Sequence, residues 1–177
     1  GGGSAYLYKE STNSWSTLAT GLSMGPYHNI AIYNPVHKIV LFGGGNGSNQ
    51  LYKINASGQV SAIANAPADI GILQSVFTAD PASGKYLLFT SSGGFFEYDV
   101  AGNRWSTLSA SNVAMFNGGS NRIMWRIAIP ISTYGVIAFL AEGGTTDTKV
   151  LLYRHASTGS TPVDVTPPTA PGGLTVK

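Results

Sequence analysis

Three histidines are the residues of this chain best suited to metal binding or proton transfer: His28, His37 and His155. None of them stands in a His-x-His or His-Glu-x-x-His spacing, which is how one short segment brings two ligands to a metal. The chain has no cysteine, so thiolate chemistry and cysteine-based zinc sites are excluded. Its 8 acidic residues fall where turns, strands or a linker are expected, and no Gly-x-Ser-x-Gly occurs. We therefore predict no metal, no cofactor and no catalytic residue within this chain.

A glycine-rich stretch at 39–52, IVLFGGGNGSNQLY, offers a second kind of chemistry, a phosphate cradle. Such a cradle needs the glycines to follow a strand and to open a helix whose N-terminus holds the phosphate. Here the residues after the glycines are poor helix formers, and 51–55 alternates like another short strand. The stretch is therefore interpreted as architecture, and no nucleotide site is predicted.

Pairs of glycines recur at a fixed spacing along the chain, which indicates a tandem repeat. The glycine pairs are Gly43-Gly44, Gly93-Gly94 and Gly143-Gly144, spaced by 50 residues. Each pair follows an apolar strand and is followed by a strand with a tyrosine, namely Tyr52, Tyr98 or Tyr153. An earlier copy contributes Tyr8. In two copies a tryptophan stands seven residues after the tyrosine, as Trp15 and Trp105. Repeats of this length are typical of solenoids, propellers and arrays.

An apolar strand ending in Gly-Gly, then a tyrosine strand, then a tryptophan, resembles the kelch repeat. The resemblance implies an all-β fold in which each repeat is one four-stranded antiparallel blade of a β-propeller. We expect one partial blade at about 1–19 and further blades at about 26–65, 72–108 and 121–165. We also expect almost no helix, because no apolar pattern of helical period persists. Trp15 and Trp105, at equal offsets, are both predicted to be buried between neighbouring blades.

About three and a half blades are fewer than a closed propeller uses. The segment 1–165 is therefore predicted to be an incomplete ring. A repeat blade cannot bury both of its faces alone, so the expected partners are the remaining propeller blades or a second chain.

The candidate binding residues lie on loops that should share one rim of the propeller, since loops on a rigid scaffold carry binding groups. His28, Gln74 and Arg126 are each expected to begin an innermost strand and to converge at the channel mouth, or else to bond only backbone and channel water. Including their loop neighbours, the candidates are Tyr27, His28, Asn46, Gln74, Asn121, Trp125 and Arg126.

The tail at 166–177 is a Pro/Thr linker leading into a short alternating strand, and it resembles the start of a fibronectin type III domain. A kelch-like propeller followed by such a module implies a secreted bacterial protein that binds or acts on polysaccharide. We therefore expect an extracellular or cell-surface location in a bacterium.

Composition excludes other classes of partner. The net charge of +2 with 10% charged residues provides no basic stripe for nucleic acid, and no apolar run approaches the length of a membrane span. The predicted function is a non-catalytic scaffold whose loop rim binds carbohydrate or a surface protein. The alternative is part of a secreted carbohydrate-active lyase, hydrolase or oxidase with catalytic residues in other blades. A copper oxidase resembling galactose oxidase would need a cysteine crosslinked to tyrosine, and this chain has no cysteine.

Overall fold

A computed structural model describes residues 3–71, 75–109, 127–142 and 148–155, and in these residues the protein is built almost wholly of β-strands. The strands are β1 Gly3–Lys9, β2 Ser14–Leu22, β3 Asn29–Asn34, β4 Ile39–Gly44, β5 Leu51–Ile54, β6 Val60–Ala62, β7 Ser75–Ala79, β8 Tyr86–Thr90, β9 Phe95–Asp99, β10 Arg104–Thr107, β11 Ile127–Ile131, β12 Val136–Glu142 and β13 Thr148–Tyr153. Helix within these ranges is limited to short 3-10 turns such as Glu10–Thr12 and Ser132–Tyr134. None of the described helices is long and apolar enough to cross a membrane.

The strands form four antiparallel sheets, and within each sheet neighbouring strands are consecutive in the chain. Sheet 1 is β1-β2, sheet 2 is β3-β4-β5-β6, sheet 3 is β7-β8-β9-β10 and sheet 4 is β11-β12-β13. No sheet closes on itself. The predicted all-β class with antiparallel sheets and almost no helix is thereby confirmed for the described residues.

The first described glycine pair ends a strand, and the second lies in the turn between two strands. Gly43 and Gly44 have φ of 129° and 66°, and a Cβ on Gly43 would lie 2.5 Å from the carbonyl oxygen of Gln50. Gly93, in the turn between β8 and β9 of sheet 3, has φ of 87°. Glycine is therefore required at Gly43 both for its conformation and for the close approach of the next strand. Gly143 and Gly144 lie outside the described residues.

The core consists of two clusters, one on each face of sheet 3. On one face the side chains of Phe77, Tyr86, Leu88 and Tyr98 pack with sheet 2 residues such as Leu41 and Leu51. On the other face those of Leu87, Phe89 and Phe95 pack with Ile137 and Phe139 of sheet 4. Because successive side chains in a strand point to opposite faces, sheet 3 is apolar on both sides and is sandwiched between its neighbours. Strand β7 contacts both β3 and β11, so the first strands of sheets 2, 3 and 4 lie side by side.

The prediction that both tryptophans are buried is wrong for Trp15. Trp105 is half-buried: its Nε1 donates to the carbonyl oxygen of Ala64 in the segment after sheet 2, at 3.1 Å, and its ring packs on Phe77. Trp15 occupies the same offset in sheet 1, yet it is 70% exposed. The reason is that its face of sheet 1 has no described sheet packed against it.

Candidate functional site

Two loops meet at one end of the strands of sheet 2, and their backbones are hydrogen-bonded to each other. One loop joins β2 to β3 and the other joins β4 to β5. The amide of Gly25 donates to the carbonyl oxygen of Gly44 at 2.8 Å, and the amide of Asn46 donates to that of Tyr27 at 3.1 Å. A Cβ on Gly25 would lie 2.7 Å from the carbonyl carbon of Gly45. The loops can touch because no side chain stands between them.

This contact brings together three of the candidate binding residues, Tyr27, His28 and Asn46. His28 Nδ1 and Asn46 Oδ1 are 2.7 Å apart, and because an amide oxygen only accepts, Nδ1 is the donor in this hydrogen bond. The Tyr27 ring meets the His28 ring edge-on, with centroids 4.9 Å apart at 81°. Tyr27 remains 56% exposed, and no described residue hydrogen-bonds the Nε2 of His28. The result is a corner that presents an aromatic ring, an imidazole and an amide.

The backbone of this corner is held in a conformation that is uncommon for its residue type. His28 has φ of 65°, in the left-handed region, where histidine occurs more often than most non-glycine residues but still at a cost. The Asn29 side chain donates from Nδ2 to the carbonyl oxygens of Gly25, at 3.1 Å, and Gly44, at 3.0 Å. Such conformations persist when the surroundings fix them, and they are concentrated at ligand-binding positions.

The other candidate binding residues are not placed by the structure. Gln74, Asn121, Trp125 and Arg126 lie outside the described residues. Convergence of Gln74 and Arg126 with His28 at a channel mouth therefore stays a prediction, although the first strands of the three sheets do lie next to one another.

A second polar cluster lies between sheets 3 and 4, and the sequence interpretation missed it. Glu97 of β9 is 7% exposed. Its Oε1 accepts from Lys85 Nζ, and its Oε2 lies against His155 Nε2, each at 2.6 Å. The hydroxyl of Tyr153 lies 3.1 Å from His155 Nδ1. The cluster thus runs from Lys85 through Glu97 and His155 to Tyr153.

The electrostatics of this cluster favour a structural role. Burial alone would raise the pKa of Glu97, but hydrogen bonds and charges from Lys85 and His155 outweigh it, so the pKa is lowered and the carboxylate stays ionised. Burial, with the nearby charges of Asp80 and Glu97, raises the pKa of Tyr153, which keeps its phenol protonated. Both carboxylate oxygens are engaged, and the contact with His155 joins β9 to the chain just after β13 of sheet 4. We interpret this cluster as a structural connection between sheets 3 and 4.

The sequence carried one usable signal for this cluster. Glu97 stands two residues after Phe95 and therefore lies on the same face of β9, the face that points toward sheet 4. A carboxylate buried in such a position has to be paired. Its partners are 12 and 58 residues away, so no local spacing could identify them. In the described part of the chain no group of three or more histidine, aspartate or glutamate side chains could hold a metal ion.

Comparisons with known proteins show no family. No family model matches the chain, and no curated protein matches it. Several solved structures are similar to the chain, and two of them, both of low identity, are described here. One is a fungal alcohol oxidase of the AA5 family in complex with copper, 15% identical, with a TM-score of 0.44 over 60% of this chain and 24% of that one. The other is an auxiliary nutrient binding protein from Bacteroides thetaiotaomicron VPI-5482, 12% identical, with a TM-score of 0.39 over 84% of this chain and 40% of that one. The chain therefore spans less than half the length of either protein.

Proposed function

We propose that this chain is a segment of a kelch-like β-propeller that acts as a non-catalytic binding module, with carbohydrate as its ligand. The propeller part of the proposal is supported by four consecutive antiparallel sheets, by two sheets of four strands each, and by the neighbouring first strands. It is also supported by the use of both faces of sheet 3 for packing, which is how repeats that cannot bury both faces alone become stable.

The observation that carries the binding proposal is the corner formed by Tyr27, His28 and Asn46. An exposed tyrosine ring supplies a flat apolar surface with little side-chain entropy to lose. Sugar rings present such a surface of C–H groups, with hydroxyls around the edge. The Nε2 of His28 and the amide nitrogen of Asn46 are placed to hydrogen-bond those hydroxyls. The combination of one ring with polar neighbours suits carbohydrate better than a broad apolar protein interface.

The site also satisfies the requirement for a preformed geometry. Two loops are tied by backbone hydrogen bonds, and Asn29 bridges them with its side chain. Fixing the loops before binding reduces the ordering cost that a ligand would otherwise have to offset. An extracellular bacterial location fits a polysaccharide ligand and rests on the resemblance of the repeat and the tail.

An enzyme is the alternative, with catalytic residues in other blades. The described polar clusters give it no specific support, because Glu97 and His155 are engaged with each other and buried. The two proposals differ in one outcome: a binding module leaves its polysaccharide intact, whereas a lyase, hydrolase or oxidase changes it.

The test is a binding screen of the intact chain against soluble β-glucan, xylan, mannan and galactan, followed by variants. Tyr27→Ala should weaken the observed binding about tenfold or more, as loss of a central aromatic anchor does. Tyr33→Ala is the matched control, since Tyr33 is 57% exposed but lies near the far end of β3. Equal loss in both variants, or no binding to any of the four polysaccharides, would contradict the proposal. Shortened or oxidised products would favour the enzyme.

A further inference from the structure

Two buried side-chain oxygens have no hydrogen-bond partner among the described residues: Thr78 Oγ1 and Asp80 Oδ1. Thr78 is 1% exposed and Asp80 is 0% exposed. Burying a polar group without a partner costs free energy, and a carboxylate oxygen costs more than a hydroxyl. Because nearly all buried polar atoms in folded proteins are paired, these two oxygens indicate a bound partner such as a water or an ion.

Both oxygens lie on the face of β7 that points toward sheet 4. Phe77 belongs to the apolar cluster shared with sheet 2, whereas Val76 belongs to the cluster shared with sheet 4. Side chains alternate along a strand, so Thr78 lies on the same side as Val76. Asp80 follows the last residue of β7, and its amide still donates across to the carbonyl oxygen of Lys85 at 2.8 Å, so the alternation extends to it. The two side chains are therefore neighbours between sheets 3 and 4, where β7 contacts β11.

Sheet 2 has an asparagine at the place that Asp80 occupies in sheet 3. Asn34 and Asp80 each stand at the end of the first strand of their sheet, and each precedes a proline. Asn34 Oδ1 accepts from the amides of Val36 and His37 in the turn that follows. Asp80 Oδ2 accepts likewise from the amide and the hydroxyl of Ser83. One oxygen of each side chain therefore stabilises the turn after its strand.

The other polar atom of Asn34 indicates what Asp80 Oδ1 faces. Asn34 Nδ2 donates to the carbonyl oxygen of Gly84, in the turn between the first two strands of the next sheet, at 2.6 Å. Gly84 has φ of 73° and packs against the residue two positions after Asn34. In sheet 4, Gly135 has φ of 59° and packs against the residue two positions after Asp80. By this correspondence Asp80 Oδ1 points toward the turn of sheet 4 that contains Gly135.

A carboxylate cannot form the hydrogen bond that the asparagine forms. Asn34 Nδ2 is a donor, whereas Asp80 Oδ1 only accepts, and the turn it points toward offers carbonyl oxygens. Burial, and after it the charge of Asp80, raises the pKa of Tyr153 in β13, which is separate support for a carboxylate close to sheet 4. None of the ion pairs among the described residues includes Asp80. A positive ion is what can bind a carboxylate oxygen, a hydroxyl oxygen and a carbonyl oxygen together.

We infer that Asp80 Oδ1 and Thr78 Oγ1 are ligands of a monovalent cation, Na⁺, between sheets 3 and 4, together with a carbonyl oxygen of the sheet 4 turn. Hard cations prefer such oxygen ligands. Burying a net charge is costly, so a single carboxylate is best matched by a single positive charge. No group of three or more acidic or histidine side chains suited to a metal ion occurs among the described residues. This inference does not depend on the proposed carbohydrate site, which lies on the loops of sheet 2.

The first test compares the melting temperature of the full chain in NaCl, in choline chloride and in CaCl₂ at the same ionic strength. Choline is too large for a buried site between two sheets. We expect a melting temperature about 2 °C or more higher in NaCl than in choline chloride, because an ion that binds only the folded state stabilises it by mass action. Equal melting temperatures in the three salts would assign these oxygens to a water or a proton and would overturn the inference. A larger effect of CaCl₂ than of NaCl would overturn the monovalent assignment.

The second test uses variants of the two ligands. Asp80→Asn supplies the amide donor that Asn34 supplies in sheet 2, so this variant should fold and should lose the difference between NaCl and choline chloride. Thr78→Val removes the hydroxyl and keeps the shape of the side chain, and it should weaken sodium binding about tenfold, the effect of losing one buried polar contact.

Asp99→Asn is the matched control, since it removes a carboxylate that is paired with Arg104 on the surface, and it should keep the full sodium effect. Circular dichroism checks the fold of each variant, and Thr78→Val decides alone if Asp80→Asn does not fold. A full sodium effect in Asp80→Asn, no weakening in Thr78→Val, or loss of the effect in Asp99→Asn would overturn the inference.

Discussion

Trp105 of sheet 3 and Ala64 of the segment after sheet 2 are joined by a hydrogen bond from the indole Nε1 to the backbone carbonyl oxygen, 3.1 Å long. The same residue of the connecting segment donates its amide to Asn103. One tryptophan and one asparagine of sheet 3 therefore fix the path of the chain as it leaves sheet 2. Trp15 of sheet 1 has the same geometry with its neighbours Tyr8 and Asn13, but its ring is exposed.

Replacing Trp105 should destabilise the fold far more than replacing Trp15. Trp105→Ala removes an aromatic side chain that packs on Phe77 and Tyr98, and we expect a loss of about 3–5 kcal/mol in the free energy of unfolding. Trp15→Ala should change it by about 0.5 kcal/mol or less, as most surface substitutions do. Urea unfolding of both variants at low protein concentration measures the difference. Similar losses would show that Trp105 is not a packing residue.

The close contact of the two loops near the candidate site gives a second prediction. Gly25→Ala should destabilise the protein by about 1–3 kcal/mol, the cost of inserting atoms into a packed contact, because its Cβ would meet the backbone of Gly45 at 2.9 Å or less. It should also weaken carbohydrate binding, since the loops that position Tyr27 have to separate.

Gly102→Ala is the control for that substitution. The atoms nearest to its Cβ would belong to the side chains of Asp99 and Arg104, the nearest at 2.7 Å, and these side chains can move. Unfolding in urea and a binding titration should therefore leave this variant close to the parent. If Gly25→Ala has the same stability and binding as the parent, the two loops are not in close contact.

The buried pair of Glu97 and His155 gives a prediction about acid stability. The pKa of Glu97 is lowered from its usual 4.5 in the folded protein, so the folded state binds this proton less readily than the unfolded chain does. The stability it contributes is fully present above pH 4.5 and is lost as the pH falls through the lower folded-state value. Glu97→Gln should accordingly flatten the fall in stability below pH 4.5.

Asp99→Asn serves as the comparison, because Asp99 is paired with Arg104 at 3.8 Å on the surface, where the arginine side chain is 76% exposed. Such pairs contribute little, so this variant should follow the parent curve. Thermal melts between pH 3 and pH 7 measure all three proteins. A Glu97→Gln curve as steep as that of the parent would contradict the assignment.

The all-β class and the antiparallel sheets could be predicted from the sequence because their determinants are local. Gly43 lies at the end of a strand and Gly93 in a turn between strands, both with positive φ. The tyrosine and tryptophan seven residues apart pair directly across two strands, as Tyr98 and Trp105 do. The meeting of the loops that carry His28 and Asn46 also follows from alternating strand direction.

Burial and pairing between sheets could not be predicted in the same way. Trp15 and Trp105 have the same local sequence, and only the presence of a neighbouring sheet distinguishes their exposure. Glu97 finds its partners at sequence separations of 12 and 58 residues, which no repeat pattern encodes. The left-handed backbone conformation of His28 and its contact with Asn46, 18 residues away, likewise have no local sequence signal.

The most direct measurement of the central claim is a nuclear magnetic resonance titration of the labelled chain with oligosaccharides of β-glucan, xylan, mannan and galactan. If the corner of Tyr27, His28 and Asn46 is the binding site, the amide signals of these three residues and the ring signals of His28 should shift together and saturate at one concentration. The signals of Tyr33, equally exposed at the other end of β3, should stay in place. Shifts centred on Tyr33 or on other residues away from this corner, or no shifts with any of the four oligosaccharides, would contradict the account.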